Sequence, residues 1–199
     1  MVTMVSPSRS NKEQSVVTPL PDDALLRARA GDPAAFSSIY RSLSPGVLGY
    51  FAGRGSDDPE ALTQEVFLTV FSKLDSVSGG FQGLRTFAYS VAHARYVDEV
   101  RKRTRAPVLV GYEADGDTRL TDSAERVALG NLGVGGARGM LDQLNAEQRD
   151  VLLLRIVAEL PIEQVAEILG RSAGSVKQLQ RRGLLKLKEI VRPEESETP

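Results

Sequence analysis

The residues best suited to binding chemistry are basic and amide side chains in one short stretch near the end of the chain. Between Arg171 and Lys188 the sequence carries six basic residues and no acidic one, although the whole chain of 199 residues has a net charge of −1. Lys, Arg and Gln near the start of a helix can donate hydrogen bonds to base edges in a major groove, and those further along reach phosphates. This stretch therefore favours binding to duplex DNA.

Small and apolar residues around this stretch have the spacing of a helix-turn-helix. They predict two helices, over 162–169 and 173–191. Ala166 lets the helices cross closely, and Gly170 supplies the left-handed backbone of the turn. Val176 and Leu179 would pack the second helix onto the first.

The period of the second helix divides its side chains between two faces. Those predicted to face inward are Val176, Leu179, Gly183, Leu184 and Leu187. The candidate contacts to duplex DNA are Arg171, Ser175, Lys177, Gln178, Arg181 and Arg182. An ordinary helical hairpin with a solvated basic face is the alternative. The helix-turn-helix spacing together with the one-sided charge favours DNA binding.

Aspartate–proline pairs mark the helices that precede this pair. Asp32-Pro33 and Asp58-Pro59 each predict a helix start, with Asp as the N-cap and Pro at the first helical position. We expect the first of these helices to end at Pro45, and a further helix to carry residues 47–51. Next come a helix to about residue 74, a Gly/Ser loop over 76–83 and a long helix over 84–103. Together they predict a bundle of about four helices.

The composition divides the chain into five segments and predicts an all-α fold. An N-terminal helical bundle and a C-terminal helix-turn-helix domain are joined by a flexible linker. The second domain opens with a capping box of Asn145 and Gln148, before a helix over 146–158. A weak helix is expected near 123–129 within the linker. The segments are a disordered lead-in (1–21), the bundle (22–105), the Gly-rich linker (106–138), the helix-turn-helix domain (139–191) and a frayed acidic tail (192–199).

Several classes of function are excluded or disfavoured by composition. The chain has no Cys and a single His, so thiolate chemistry is impossible and a His-rich metal site cannot form. No nucleophile or metal constellation indicates an enzyme, and no cofactor is expected. The N-terminus lacks a signal pattern, and no apolar run approaches the roughly 20 residues of a membrane span. The prediction is a cytoplasmic protein without membrane contact.

Motifs in both halves of the chain resemble the extracytoplasmic-function (ECF) group of the sigma-70 family. PEALTQEVFL, over 59–68, resembles the family's polymerase-binding helix, and FAYSVAHAR, over 87–95, resembles its promoter-melting helix. LNAEQR, over 144–149, and GSVK, over 174–177, resemble its C-terminal domain. The match covers about residues 22–105 and 139–191 in the family's order.

The resemblance implies a sigma factor, which joins core RNA polymerase and directs it to promoters without catalysis of its own. Segments 22–105 and 139–191 would be sigma regions 2 and 4. The 59–74 helix would dock on the clamp of the largest polymerase subunits, and the helix-turn-helix would read the upstream (−35) element as duplex. An anti-sigma factor is a common partner in this family. The implied core-binding residues are Glu60, Gln64, Glu65 and Leu68.

The resemblance also assigns unpaired bases of the downstream (−10) element to the loop 76–86 and the start of the next helix. Cationic and aromatic side chains can hold such a strand. Phe87 and Tyr89 fit a core stripe equally well, and the cations at 101–103 also suit a helix C-terminus. The candidates are Arg85, Phe87, Tyr89, Arg95, Tyr96 and Arg101.

Three residues depart from the family's pattern. Ala61 stands where the family usually has an acidic residue, and Pro161 where it usually has a capping Ser or Thr. Leu179 stands where some relatives carry a base-reading residue, but the helical period of the second helix places it on the inward, core-facing side. The rival function is a stand-alone helix-turn-helix regulator whose N-terminal bundle dimerises or senses a ligand.

Overall fold

The structure is a computed structural model, and it describes residues 23–105 and 134–191. The predicted lead-in, the predicted weak helix at 123–129 and the predicted tail lie outside the described residues. Within those ranges the regular structure is helical, as predicted. The helices are α1 (Ala24–Arg29), α2 (Pro33–Arg54), α3 (Pro59–Ser72), α4 (Gly80–Arg105), α5 (Val134–Asp142), α6 (Ala146–Leu152), α7 (Ile162–Leu169) and α8 (Ala173–Val191).

Both aspartate–proline starts form as predicted. The Asp32 carboxylate accepts a hydrogen bond from the backbone N–H of Ala34 at 2.8 Å, and Asp58 accepts one from Ala61 at 2.9 Å. Each bond satisfies an N–H group that the first turn of the helix leaves without a partner. The caps fix where α2 and α3 begin.

The break predicted at Pro45 is wrong, because α2 continues through it to Arg54. Pro45 is exposed, so the carbonyl that loses its helical N–H partner can be hydrated. Leu43 and Val47, on either side of the proline, are buried on the same side of the helix. Burial of this apolar face outweighs the local cost of the proline.

The N-terminal unit, residues 23–105, packs α1 to α4 around a single apolar core. The side chains of Ile39 and Phe51 on α2 and Val66 and Val70 on α3 are fully buried. Leu84 on α4 is buried with them. A short 3₁₀ turn at Leu74–Ser76 connects α3 to the loop before α4.

The long helix α4 begins at Gly80, four residues before the predicted start. Gly83 makes this earlier start possible, since a Cβ there would lie 1.7 Å from the carbonyl oxygen of Ser78. The backbone N–H of Gly83 donates to the carbonyl of Gly79 at 3.1 Å. The loop therefore folds directly against the first turn of α4.

The C-terminal unit, residues 134–191, contains the predicted capping box and the predicted helix pair. The side-chain oxygen of Asn145 accepts a hydrogen bond from the backbone N–H of Gln148 at 2.9 Å. In return, the side-chain oxygen of Gln148 accepts one from the backbone N–H of Asn145. After α6 the chain continues as a π-helical segment, Leu153–Val157. The helices α7 and α8 have the predicted bounds. The first helix, α5, begins at Val134, inside the range predicted as linker (106–138).

The N-terminal and C-terminal units pack against each other. Helix α2 lies against the π-helical segment, and α4 lies against α7. Val151, Leu153 and Leu154 of the C-terminal unit belong to the same continuous apolar cluster as the α2 core. We call this contact between the two units the closed arrangement.

Candidate nucleic-acid interface

The helix-turn-helix has the geometry that its spacing predicts. Gly170 adopts the left-handed conformation, with φ +61° and ψ 39°. The backbone N–H of Arg171 returns to the carbonyl of Ala166 at 2.8 Å and closes the turn. Val176 and Leu179 are buried, so Leu179 belongs to the core as predicted. Pro161 provides no side-chain cap to α7, as expected.

The predicted duplex contacts largely face solvent. Lys177, Gln178, Arg181 and Arg182 are exposed, and Ser175 is half-buried near the start of α8. Arg171 is also exposed and forms an ion pair with Glu147 on α6. One face of α8 thus presents basic and amide groups, while the opposite face holds the two helices together.

The inward assignment of Leu184 is wrong, since this side chain is 43% exposed. Gly183 lies against Leu152, where a Cβ would come within 2.9 Å of Leu152 Cδ1. Helix α8 has 19 residues, whereas α6 has 7. Beyond Gly183 the longer helix extends past its neighbour, and Leu187 is only half-buried.

The start of α4, predicted to capture unpaired bases, contacts the C-terminal unit. Arg85 forms an ion pair with Glu159 at 2.9 Å, and its guanidinium lies 5.2 Å from the centre of the Phe81 ring. The hydroxyl of Thr86 donates to the Gln164 side-chain oxygen at 2.6 Å. Arg85 and Thr86 are only partly exposed.

The structure contradicts Tyr89 as a strand contact and makes it a core residue. Tyr89 is 2% exposed, and its ring packs edge-on against Tyr50 with the centroids 5.9 Å apart. Its hydroxyl fits beside Gly46, where a Cβ would lie 2.5 Å away. Burial raises the pKa of the Tyr89 phenol. Phe87 is half-buried and packs against the same core, as its alternative assignment expected.

The other three predicted strand contacts, Arg95, Tyr96 and Arg101, each contact a different partner. Arg95 lies 3.6 Å from Glu65 on α3, and so joins the predicted strand surface to the predicted polymerase-docking helix. Tyr96 donates its hydroxyl proton to the Arg54 carbonyl at 2.9 Å, which ties α4 to the end of α2. Arg101 is exposed and lies 3.7 Å from Asp98.

An exposed stripe runs along α3 where core polymerase was expected to dock. Glu60, Gln64 and Leu68 are four residues apart and therefore share one face of the helix. All three are exposed, as are Ala61 and Glu65 beside them. Leu68 is 73% exposed and places an apolar side chain at the end of this polar stripe.

A buried ion pair between the two units was not predicted from the sequence. Arg54, at the end of α2, is 8% exposed, and its guanidinium lies 2.7 Å from the Asp150 carboxylate on α6. It also donates to the Tyr50 hydroxyl at 2.8 Å and stacks 3.9 Å from the Tyr96 ring centre. His93 Nδ1 lies 3.3 Å from the same guanidinium nitrogen. The local sequence Gly53-Arg54-Gly55 gives no signal of this role.

Burial shifts the pKa values of two groups beside Arg54, the Asp150 carboxyl and the His93 imidazole. Desolvation raises the pKa of Asp150 to about 6, although the charge of Arg54 opposes the shift. Desolvation lowers the pKa of His93 to about 4, and the positive charge of Arg54 acts in the same direction. Because His93 is neutral above that value, its Nδ1 can accept a hydrogen bond from the Arg54 guanidinium.

Replacement of His93 by asparagine should flatten the pH dependence of stability. The unfolded imidazole binds a proton below about 6.5, whereas the folded one stays neutral down to about 4. The free energy of unfolding that this pKa difference contributes is fully present above pH 6.5, and it is lost as the pH falls from 6.5 towards 4. From about pH 7 to 5 the wild type should lose about 1 kcal/mol more than His93→Asn, allowing for the exposed part of the ring. Urea titrations at several pH values measure this difference.

His93 is the only histidine in the chain, and Asp150 is common to both proteins. A difference in this pH range therefore reports on position 93. Parallel stability curves for the two proteins would show that the imidazole is not desolvated.

Within residues 23–105 and 134–191, no group of three or more His, Cys, Asp or Glu side chains is placed to hold a metal ion. None of the described helices is long and apolar enough to cross a membrane.

The fold and the exposed basic helix define a two-unit, all-helical protein with a C-terminal helix-turn-helix. A family profile described as "Sigma-70, region 4" matches residues 140–189. The chain is 28% identical over 170 residues to the ECF RNA polymerase sigma factor BldN of Streptomyces coelicolor, covering 83% of this chain and 63% of that protein. It is 27% identical over 174 residues to the ECF RNA polymerase sigma factor ShbA of Streptomyces griseus, covering 82% and 91%.

A solved structure has the same fold. CnrH, in complex with the cytosolic domain of CnrY, superposes with a TM-score of 0.58 at 17% identity, covering 84% of this chain and 94% of CnrH. In sequence the chain is therefore similar to extracytoplasmic-function sigma factors of the sigma-70 family, and its C-terminal unit matches region 4 of that family.

Proposed function

We propose that the protein is an RNA polymerase sigma factor that directs transcription initiation from promoters with two separate recognition elements. The exposed basic face of α8, held by a buried helix-turn-helix core, is the observation that carries the proposal. The similarity to ECF sigma factors supports it, and so does the order of the two units along the chain. The protein would act in the cytoplasm with RNA polymerase, without catalysis or a cofactor of its own.

The C-terminal unit is proposed to read the −35 element as duplex DNA. Lys177, Gln178 and Arg181 lie on the exposed face near the start of α8, where side chains can reach base edges. Arg182 would contact phosphates, and so would Arg171 after release of its ion pair with Glu147. The overall charge of −1 implies weak, salt-sensitive binding by the free chain and a gain of affinity with core enzyme.

The N-terminal unit is proposed to dock on core polymerase and to hold the unpaired −10 strand. The stripe of Glu60, Gln64 and Leu68, with Glu65 beside it, would contact the clamp of the largest subunits. Arg85, Phe87, Arg95, Tyr96 and Arg101 stay as candidate strand contacts, whereas buried Tyr89 is withdrawn. An anti-sigma factor is proposed as a further partner, supported by the solved complex of CnrH with CnrY.

Run-off transcription with reconstituted holoenzyme tests the proposal. Core polymerase with this protein should start transcripts at defined sites on genomic DNA of the source bacterium, and core alone should not. Mapping of the starts would also give the promoter sequences. If the protein protects duplex DNA but recruits no core enzyme, it is a stand-alone helix-turn-helix regulator and the proposal is wrong.

Two pairs of matched variants should separate the two proposed interfaces. Lys177→Ala should reduce transcription from the mapped promoters about tenfold, while Lys188→Ala, with the same charge change later in α8, should have little effect. Leu68→Ala should weaken core binding about tenfold, while Leu26→Ala, which removes another exposed leucine, should not. Quantitative transcription and fluorescence anisotropy with core enzyme measure these effects.

Circular dichroism spectra should be unchanged in all four variants, because the four side chains are exposed. Equal losses from Lys177→Ala and Lys188→Ala would indicate a general charge effect instead of base reading. Equal core affinities for Leu68→Ala and Leu26→Ala would argue against docking through α3.

A further inference from the structure

The loop between α3 and α4 is anchored at its start by Arg29, the last residue of α1. The Arg29 guanidinium donates a hydrogen bond from Nε to the carbonyl of Leu74 at 3.3 Å, and another from a terminal nitrogen to the carbonyl of Val77. Leu74 begins the short 3₁₀ turn and Val77 follows it, and both side chains are buried. One side chain therefore holds the turn on both sides.

The far end of the loop is fixed separately, at the start of α4. The backbone N–H of Gly83 donates to the carbonyl of Gly79, and a Cβ at Gly83 would lie 1.7 Å from the Ser78 carbonyl oxygen. Between the two anchors, Ser78, Gly79 and Gly80 are exposed. The two glycines have φ values of +77° and +61°, and glycine has more backbone freedom than any other residue. With only one end fixed, this segment could adopt many conformations.

Helix α1 is a firm base for the Arg29 anchor. Its six residues are too few for a stable isolated helix, so its stability comes from packing. Leu25 and Ala28 are buried in the core of the bundle. After α1 the chain turns directly into α2, and the backbone N–H of Asp32 donates to the carbonyl of Arg27 at 3.0 Å. The start of the loop is thus tied through Arg29 to the rest of the N-terminal unit.

The shape of the guanidinium group matters for this contact. Its N–H donors lie in one plane at fixed angles, so two of them can reach two carbonyl oxygens at the same time. Lysine carries the same charge on a single nitrogen at the end of a flexible stem. A change of Arg29 to lysine therefore removes the geometry of the anchor and keeps the charge.

The anchored loop is the segment proposed to capture unpaired bases of the −10 element. Selection between bases requires binding groups that are already held near their productive geometry. A loop that becomes ordered only on binding loses affinity for the correct base, and a loop that can adapt also accepts incorrect ones. The rigidity of this loop should therefore affect which bases it accepts.

We propose that Arg29 is a positioning residue for base selection at the −10 element. It acts through the carbonyls of Leu74 and Val77, and it keeps the loop in one conformation from a helix that lies outside the proposed strand surface. This proposal rests on the proposed sigma-factor function.

Transcription from competing promoters tests the proposal. Holoenzyme containing the wild type or Arg29→Lys transcribes the mapped promoter together with a copy that has one changed base in the −10 element. The ratio of the two transcripts measures base selection, and it does not depend on the amount of active protein. A wrong base commonly costs about fivefold or more in affinity, and Arg29→Lys should lower the transcript ratio at least about threefold.

Two comparisons separate positioning from a general loss of stability or charge. Arg27→Lys makes the same change two residues earlier in α1, where the side chain pairs with Asp32, and it should leave the ratio unchanged. The ratio for single changes in the −35 element should be unchanged in both variants. A wild-type −10 ratio in Arg29→Lys would overturn the proposal. Equal losses at the two elements, or from the two variants, would also overturn it.

A spin label on the loop measures its mobility in the full chain without polymerase. The chain contains no Cys, so Ser78→Cys provides one exposed position for a nitroxide label. Addition of Arg29→Lys should narrow the electron paramagnetic resonance spectrum, because the label moves faster on a released loop. Addition of Arg27→Lys should not. Identical spectra for the two variants would show that Arg29 does not anchor the loop.

The two measurements keep this proposal distinct from the sigma-factor function. If the wild type does not initiate with core polymerase, the function fails and the role in base selection fails with it, while the label still reports on the anchor. If the wild type initiates and the label shows the anchor, an unchanged transcript ratio would make the contact structural alone and the proposal wrong.

Discussion

A double-mutant cycle between Arg54 and Asp150 is expected to give a coupling free energy of about 3 kcal/mol in urea unfolding. The two side chains are 2.7 Å apart and largely buried. Arg54→Met leaves the Asp150 carboxylate without its partner, and Asp150→Asn leaves the guanidinium charge buried. The double variant loses both charges together, so it should be less unstable than the sum of the single changes. The measurement belongs well above pH 6, where Asp150 is ionised.

The exposed pair of Arg103 and Asp57 provides a matched control. Its atoms are 3.2 Å apart, yet the two side chains are 47% and 69% exposed. The same two substitutions there should give a coupling below about 1 kcal/mol, because solvent screens the charges. Equal couplings for the two pairs would show that the Arg54–Asp150 contact is not desolvated, and hence that the units are not closed on each other.

Replacement of Gly83 by alanine should lower the free energy of unfolding of the N-terminal unit by about 3 kcal/mol. The added Cβ would lie 1.7 Å from the Ser78 carbonyl oxygen and 2.8 Å from its carbon. These are backbone atoms, so no side-chain rotation relieves the overlap. The loop between Leu74–Ser76 and α4 must move, and the proposed strand surface would move with it. Urea titration followed by circular dichroism measures the loss.

Gly139→Ala is the control for this change. Gly139 lies in α5, and a Cβ there would meet no atom within 4 Å. Alanine should therefore stabilise this helix by about 0.5–1 kcal/mol. If Gly83→Ala were neutral or stabilising as well, the tight fold of the loop against α4 would be wrong.

The features that the sequence predicted well are those encoded within a few residues. The helix-turn-helix, the aspartate caps of α2 and α3 and the capping box of Asn145 and Gln148 each depend on local spacing and local hydrogen bonds. The bounds of α7 and α8 were predicted for the same reason. The core position of Leu179 followed from helical period alone.

The features that the sequence did not predict depend on contacts between distant segments. Pro45 was expected to end a helix, but burial of the α2 face on both sides of it carries the helix through. The sequence left Tyr89 open between a strand contact and a core position. Its burial depends on Gly46, on another helix, which leaves space for its hydroxyl. Arg54 gave no signal, because its partner Asp150 lies in the other unit. Linear periodicity cannot report such pairs.

The division of α8 into two faces has an evolutionary consequence. Val176 and Leu179 hold the helix in place, while Lys177, Gln178 and Arg181 extend into solvent. Substitutions at such exposed positions usually change stability by no more than about 0.5 kcal/mol. With the proposed role of this face in reading the −35 element, a descendant of this protein could acquire a new set of target genes through a few changes on one face, and the fold would impose almost no selection against them.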